Sequence, residues 1–440
     1  MTWLTDSLRA NRRGAATGVY SVCTANPHAI AAAMHQAVAD EQPVLIEATS
    51  NQVDQNGGYT GMTPERFVGY VGDIAREVGL PPERVVLGGD HLGPNVWQAL
   101  PAETAMANAH VLIRDYVAAG FAKIHLDTSM PLGDDPGGTV DDAVVAERAA
   151  DLCRTAEATY RDRGRGPAPH YVIGTEVPIP GGAQEALDEL TPTRTADVRT
   201  TIEVTHDAFL KRGLDAAWER VIAVVVQPGV EFGDATVVAY QPERARNLAR
   251  FIESVDRLVY EAHSTDYQTP AALEHLVRDH FAILKVGPWL TFAFREAVFA
   301  LARIERELLA GRRGETLSNL ETIVDDAMTR DPRHWRRHYH GEAHELALKR
   351  VYSYSDRIRY YWPQDDIAAA LARLFANLER HPVPDTLLSQ YLPDQYRAVR
   401  DGRIPNTPVH LVRDRIMAVT AIYARATGQR QDSHAAVPAQ

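Results

Sequence analysis

Residues 85–95 read Val85-Val86-Leu87-Gly88-Gly89-Asp90-His91-Leu92-Gly93-Pro94-Asn95. A β-branched run suited to a buried strand ends in two glycines and then sets an acid beside an imidazole. Such a pair at the C-terminal end of a strand has the makings of a general acid/base next to a metal ligand. Neighbouring residues of an extended strand point to opposite sides, so a local twist must bring both to one site. The paired glycines are its expected source.

Other polar groups also follow short apolar runs: residues 47–52, His125 and Asp127, Thr175 and Glu176, 227–231, 261–266 and 285–288. His91, His263 and Glu176 suffice to hold one divalent metal, zinc by ligand type with manganese as the other choice. Gln227 and Glu231 compete for the third place. A strand-end histidine is more often a hydrogen-bonding partner than a ligand. Here two of them, each within a polar strand-end cluster, favour ligation. Asp127 and Glu176 join Asp90 as candidate catalytic groups. His125 and Asp127 stand at alternate positions, share a face, and are expected to touch substrate.

Anion binding has its own candidates. Backbone N–H groups around Ser264, Thr265 and Gly287, with Lys285 as a charge, could form a phosphate cup. Asn51, Gln227 and Asp266 complete the substrate-facing set, and Gly181-Gly182 is a weaker second cradle. Arg357 and Arg359 lie in an aromatic run, 353–362, able to fold back over the same rim. His338 and His340 are assigned to solvent or an interface.

These groups need a scaffold that gathers strand ends. Short apolar stretches at 19–23, 44–48, 85–87, 123–126, 171–175, 221–226, 258–260 and 282–286 lack clean alternation, as strands buried on both faces do. Between and after them, 27–40, 63–78, 102–119, 140–161, 195–212, 242–254, 270–279 and 290–309 carry helical spacing. Thr63-Pro64-Glu65 opens one helix with a cap and a proline at its first position. Eight such alternations are the count of a TIM (β/α)8 barrel, whose function gathers at the C-terminal ends of its strands. An open doubly wound sheet is disfavoured because no Gly-x-Gly-x-x-Gly turn follows the first strand. The expected layout is a barrel over 1–310, a helical C-terminal region over 311–428, with helices at 316–328, 342–349, 365–380 and 412–426, and a disordered tail at 429–440.

The 440 residues carry a formal net charge of −12, which argues against a nucleic-acid partner. Two cysteines exclude a disulfide framework and suit a reducing cytoplasm. No apolar leader or membrane-length stretch is present, so a cytoplasmic location is expected.

Eight stretches carry a family likeness: 47–53 (EATSNQV), 57–62 (GGYTGM), 88–95 (GGDHLGPN), 123–127 (KIHLD), 173–178 (IGTEVP), 227–232 (QPGVEF), 260–267 (YEAHSTDY) and 355–363 (SDRIRYYWP). With them the chain, from about residue 15 to about residue 420, resembles the GatZ/KbaZ family, related to the class II, zinc-dependent ketose-bisphosphate aldolases, which are TIM barrels. Members have been described as the non-catalytic partner of tagatose-1,6-bisphosphate aldolase, and some relatives as 4-epimerases of ketohexose phosphates. The resemblance implies Asp90 as acid/base, His91 as the ligand beside it and His263 as a further ligand. The aldolases' histidine after strand six has no counterpart; residues 227–231 stand there, and Glu176 or Glu231 can supply a carboxylate instead.

That departure shifts the expectation from net cleavage to epimerisation of D-tagatose 6-phosphate and D-fructose 6-phosphate at C4. The alternative is a stabilising subunit of a tagatose-bisphosphate aldolase. A ketohexose phosphate is the expected small-molecule partner. An aldolase catalytic chain and a second copy of this chain are the protein partners left open.

Overall fold

Eight parallel strands close into a barrel: β1 Val19–Cys23, β2 Val44–Thr49, β3 Val85–Leu92, β4 Lys123–Leu126, β5 His170–Ile173, β6 Val221–Val225, β7 Val259–Ala262 and β8 Phe281–Val286. They lie in chain order around the ring, and β8 pairs with β1 through Val19 opposite Ile283. The structure is a computed structural model that describes residues 2–137, 139–174 and 190–430. Glu176 and the Gly181-Gly182 pair therefore lie outside the described residues.

The TIM-barrel expectation is met, and its outer helices start where local chemistry dictates. Asn26 Oδ1 accepts from the His28 and Ala29 amides to open the helix Pro27–Ala39, and Thr63 caps Pro64–Val78. Pro288 begins Pro288–Leu309 directly after β8.

Alternate positions of each strand face the barrel interior. Leu45, Val86, Val172, Val259 and Ile283 belong to one apolar interior cluster, with Leu4 and Leu8 packed on it. Those two leucines belong to a helix, Thr2–Arg12, that the sequence reading did not foresee. It plugs the bottom of the barrel. Further up, on β2, β4, β7 and β8, the same interior turns charged, with Glu47, Lys123, Glu261 and Lys285 all buried.

Beyond the barrel, helices Leu320–Arg330, Ala343–Tyr352, Asp365–Arg380, Asp385–Tyr391, Pro393–Arg400 and Pro408–Ala426 make up the C-terminal region. The last packs against Pro27–Ala39 and Pro288–Leu309, so it completes the ring around β1. Gln429, placed in the expected tail, is buried and donates to Gly18 O at 3.4 Å; residues 431–440 lie outside the described residues. Among the described residues, no helix is long and apolar enough to cross a membrane.

Candidate active site

β3 runs well past the expected end at 87, through both glycines and the Asp-His pair to Leu92. The twist that joins Asp90 and His91 comes from His91 itself, whose φ of 48° lies in the left-handed region, and the β3–β4 register shifts between Gly89 and Leu92. A non-glycine residue held there stores of order 1–3 kcal/mol of strain, a cost found mostly at functional sites. The glycines serve clearance instead. A Cβ on Gly88 would lie 2.5 Å from Glu47 Oε1, and one on Gly89 would strike Leu92 and Tyr116.

With that clearance, Glu47 reaches the barrel axis and builds a charge lattice with three other strands. Lys123 Nζ sits 2.6 Å from Glu47 Oε1 and 2.7 Å from Glu261 Oε2, with none of the three side chains exposed. Lys285 pairs with the other oxygen of Glu47 and lies 2.9 Å from Asp90 Oδ1 and 3.7 Å from Glu261 Oε1. Isolated buried charges would be prohibitive; here each faces opposite charges. The carboxyls of Glu47 and Glu261 stay below the ordinary range because the two lysines outweigh burial, and the carboxylates hold both lysines above theirs.

The layer above faces the barrel mouth. Asp90 Oδ1 is 3.1 Å from His125 Nδ1, and Asp90 Oδ2 is 3.7 Å from His91 Nε2. His91 Nδ1 meets Asp127 Oδ2 at 2.7 Å, leaving Nε2 turned to the site, the arrangement in which a carboxylate orients an imidazole. His263 Nε2 lies 3.0 Å from Glu261 Oε1. Burial opposes ionisation of Asp90, yet His91, Lys285, His125 and His263 drive its pKa well below normal. Asp127 is drawn to about 2 against burial by His91. Asp90 and Asp127 in turn raise His91, whereas burial pushes His263 down to about 4.

Donor atoms of Asp90, His125, Glu261 and His263 all lie within 4.8 Å of one another. Two imidazoles and two carboxylates are a donor set for a zinc- or manganese-type ion. His91 and His263 do come together, their rings 4.9 Å apart. His91 keeps Nε2 towards the site, but it is His125 whose donor atom groups with those of Asp90, Glu261 and His263. His125 is wholly buried beneath Asp90, so its position fits a ligand and not the substrate contact expected of it.

Above these groups a pocket is lined by, among others, Cys23, Asn51, Ser264, Asp266, Gly287 and Arg359, so the C-terminal run does fold onto the rim. Four expectations need correction. The amides after β8 are not free for a phosphate, because Asp266 Oδ1 accepts those of Gly287 and Trp289 at 3.0 and 2.8 Å, and Lys285 is bound into the charge lattice. Gln227 spends its side-chain oxygen on the Gly229 and Val230 amides at 2.8 and 2.9 Å, holding a turn rather than facing substrate. Glu231 accepts from the Phe232 amide in a small hairpin and is not one of the four clustered donors. Arg357 borders a neighbouring cleft, not this pocket.

The sequence reading named no role for Glu47, Lys123 or Glu261. A visible signal existed: each is a charge inside an otherwise apolar buried strand, two positions from another interior group.

A structure from Sinorhizobium meliloti 1021, described as a probable tagatose 6 phosphate kinase, is 45% identical, covers 93% of this chain and 100% of its own, and superposes with a TM-score of 0.85. The YdjI aldolase from Escherichia coli K12 is 12% identical over 86% of this chain and 94% of its own, with a TM-score of 0.43. The family model for D-tagatose-1,6-bisphosphate aldolase subunit GatZ/KbaZ-like proteins matches residues 4–428. A barrel that carries its polar groups at the strand mouths, matched over nearly its whole length, thus belongs to the GatZ/KbaZ-like family.

Proposed function

We propose that this protein is a metal-dependent epimerase that interconverts D-tagatose 6-phosphate and D-fructose 6-phosphate at C4 by retro-aldol cleavage and re-addition. The observation that carries this reading is the buried set Asp90, His125, Glu261 and His263 beside an open pocket at the barrel mouth. Both the family description and the name of the Sinorhizobium relative refer to a tagatose phosphate, which supports the substrate class.

Held by His125, Glu261 and His263, a divalent cation would supply Lewis-acid polarisation of the C2 carbonyl, leaving Asp90 to handle the proton. The protein's own groups handle the proton. Asp90, kept ionised by its cationic neighbours, accepts the C4 hydroxyl proton as the C3–C4 bond breaks. His91 Nε2, 3.7 Å from Asp90, faces its carboxylate and favours its charged form, with Asp127 holding the ring in place, so the proton waits on Asp90 until re-addition. The aldehyde fragment turns within the pocket and is re-added on its other face, and the same proton returns.

The test is incubation of the purified protein alone with D-tagatose 6-phosphate, before and after chelation. D-Fructose 6-phosphate is expected, lost with chelator and restored by zinc or manganese. A second reading, a stabilising chain for an aldolase catalytic subunit, is favoured by the word subunit in the family description. Turnover absent alone, with a partner aldolase made more stable by this chain, selects that reading.

A further inference from the structure

A cavity of about 500 Å³ opens beside the mouth, where the C-terminal region meets the barrel rim. Arg333, Arg336, Arg337 and Arg357 line it together with His338, and Asp331 is the one carboxylate of its lining. Asp331 is committed to Arg333, with an Oδ2–Nη2 distance of 2.6 Å. Four guanidiniums against one carboxylate leave a local excess of three positive charges in a chain whose net charge is −12. Guanidinium is also the side-chain group best shaped for a phosphate.

Titrating groups nearby respond as a positive field requires. Burial lowers His338 to about 3, helped by Arg357, Arg359 and Arg337. The Tyr360 hydroxyl falls below its ordinary value because Arg359 and Arg357 outweigh burial.

This cleft adjoins the histidine–carboxylate pocket, since Asn51 and Tyr360 line both. Meanwhile the backbone amides after β8 are occupied by Asp266. A phosphate brought there would meet a carboxylate.

We propose that the arginine cleft binds the phosphate of a phosphorylated ketose whose carbonyl end lies in the histidine–carboxylate pocket, the chain passing Asn51 and Tyr360. The phosphate site has thus moved from the strand-end loops to the C-terminal region. This rests on the ketose-phosphate reading of the pocket.

Arg336 and Arg337 are exposed and carry no ion pair among the described residues, so replacing both leaves the interior intact. Calorimetric titration of the full chain with D-fructose 6-phosphate, D-fructose and inorganic phosphate tests the assignment without needing turnover. The parent is expected to bind the sugar phosphate, with inorganic phosphate competing. R336A/R337A should weaken sugar-phosphate binding about tenfold or more, a loss of at least ~1.4 kcal/mol. D-Fructose binding should not change. Failure of the parent to bind phosphate, or a double variant that binds the sugar phosphate as the parent does, overturns the proposal. A protein that binds as predicted but never turns over keeps the cleft and loses the epimerase reading. Turnover with an unchanged KM in the double variant does the reverse.

Discussion

Asp90 touches more of the site than any other residue, and its surroundings set what it can do. Lys285, His125 and His91 all face its carboxylate, so it stays ionised, and a proton it takes is readily given back. Replacing it with Asn preserves shape and removes the proton acceptor. Asp90→Asn is expected to lower kcat by about 10²–10⁴ with unfolding little changed, whereas full activity would remove Asp90 from the mechanism. Lys123 makes the opposite case. It lies a layer below, touches no pocket, and neutralises Glu47 and Glu261 with no exposed surface. Lys123→Met leaves an uncompensated carboxylate in the barrel, where breaking a buried pair costs about 3–5 kcal/mol. Denaturant titration should show a midpoint shift of that order, and an unchanged midpoint would mean the lattice adds nothing to stability.

At the scale of elements, the strands were readable because burial on both faces forces an apolar run, and the main outer helices because their spacing and caps are local. The charged layer was not readable as a unit. Glu47, Lys123, Glu261 and Lys285 meet only after four strands close into a ring, a property of register rather than of any single stretch. The His91 kink was hidden for a related reason: two glycines advertised a turn, yet they give room to Glu47 and to Leu92 and Tyr116, while a histidine takes the left-handed conformation. The rim run 353–362 shows what such an element costs. Asp356, itself left-handed at φ 47°, accepts from Thr291 Oγ1 at 2.5 Å and is pushed up to about 7 by burial. A carboxyl whose folded value exceeds its ordinary 3.8 favours the folded state fully below that value. That contribution fades as pH rises through about 7. Asp356→Asn keeps the left-handed backbone and the Thr291 bond. Its stability should therefore match the parent near pH 4 and exceed it at pH 8, as read by thermal unfolding; parallel pH profiles would show that Asp356 is ionised throughout.

In the whole molecule, barrel and C-terminal region are joined along Pro288–Leu309, which packs against Leu320–Arg330, Asp365–Arg380 and Asp385–Tyr391, and most extensively through the last helix. In Pro408–Ala426, Leu411, Val412, Ile416, Val419 and Tyr423 are buried, and Tyr423 Oη donates to Thr265 O at 2.8 Å just past β7. Each such apolar side chain contributes about 1.5–3 kcal/mol on burial. Together they rival the ~5–15 kcal/mol net stability of a typical protein, so the barrel should not outlast loss of this helix. At the other end, Thr17 and Gly18, just before β1, tie the chain to Thr427 through Thr17 Oγ1 and the Gly18 amide. We propose that the chain changes architecture near 310 without changing cooperative unit. Differential scanning calorimetry of the intact chain should give a single transition with equal calorimetric and van't Hoff enthalpies. Tyr423→Phe, which leaves the buried Thr265 carbonyl without that donor, should lower the whole transition by about 1–3 kcal/mol rather than split it. Two resolved transitions, with only the smaller moved by Tyr423→Phe, would instead make the barrel an independent domain and free the rim from the last helix.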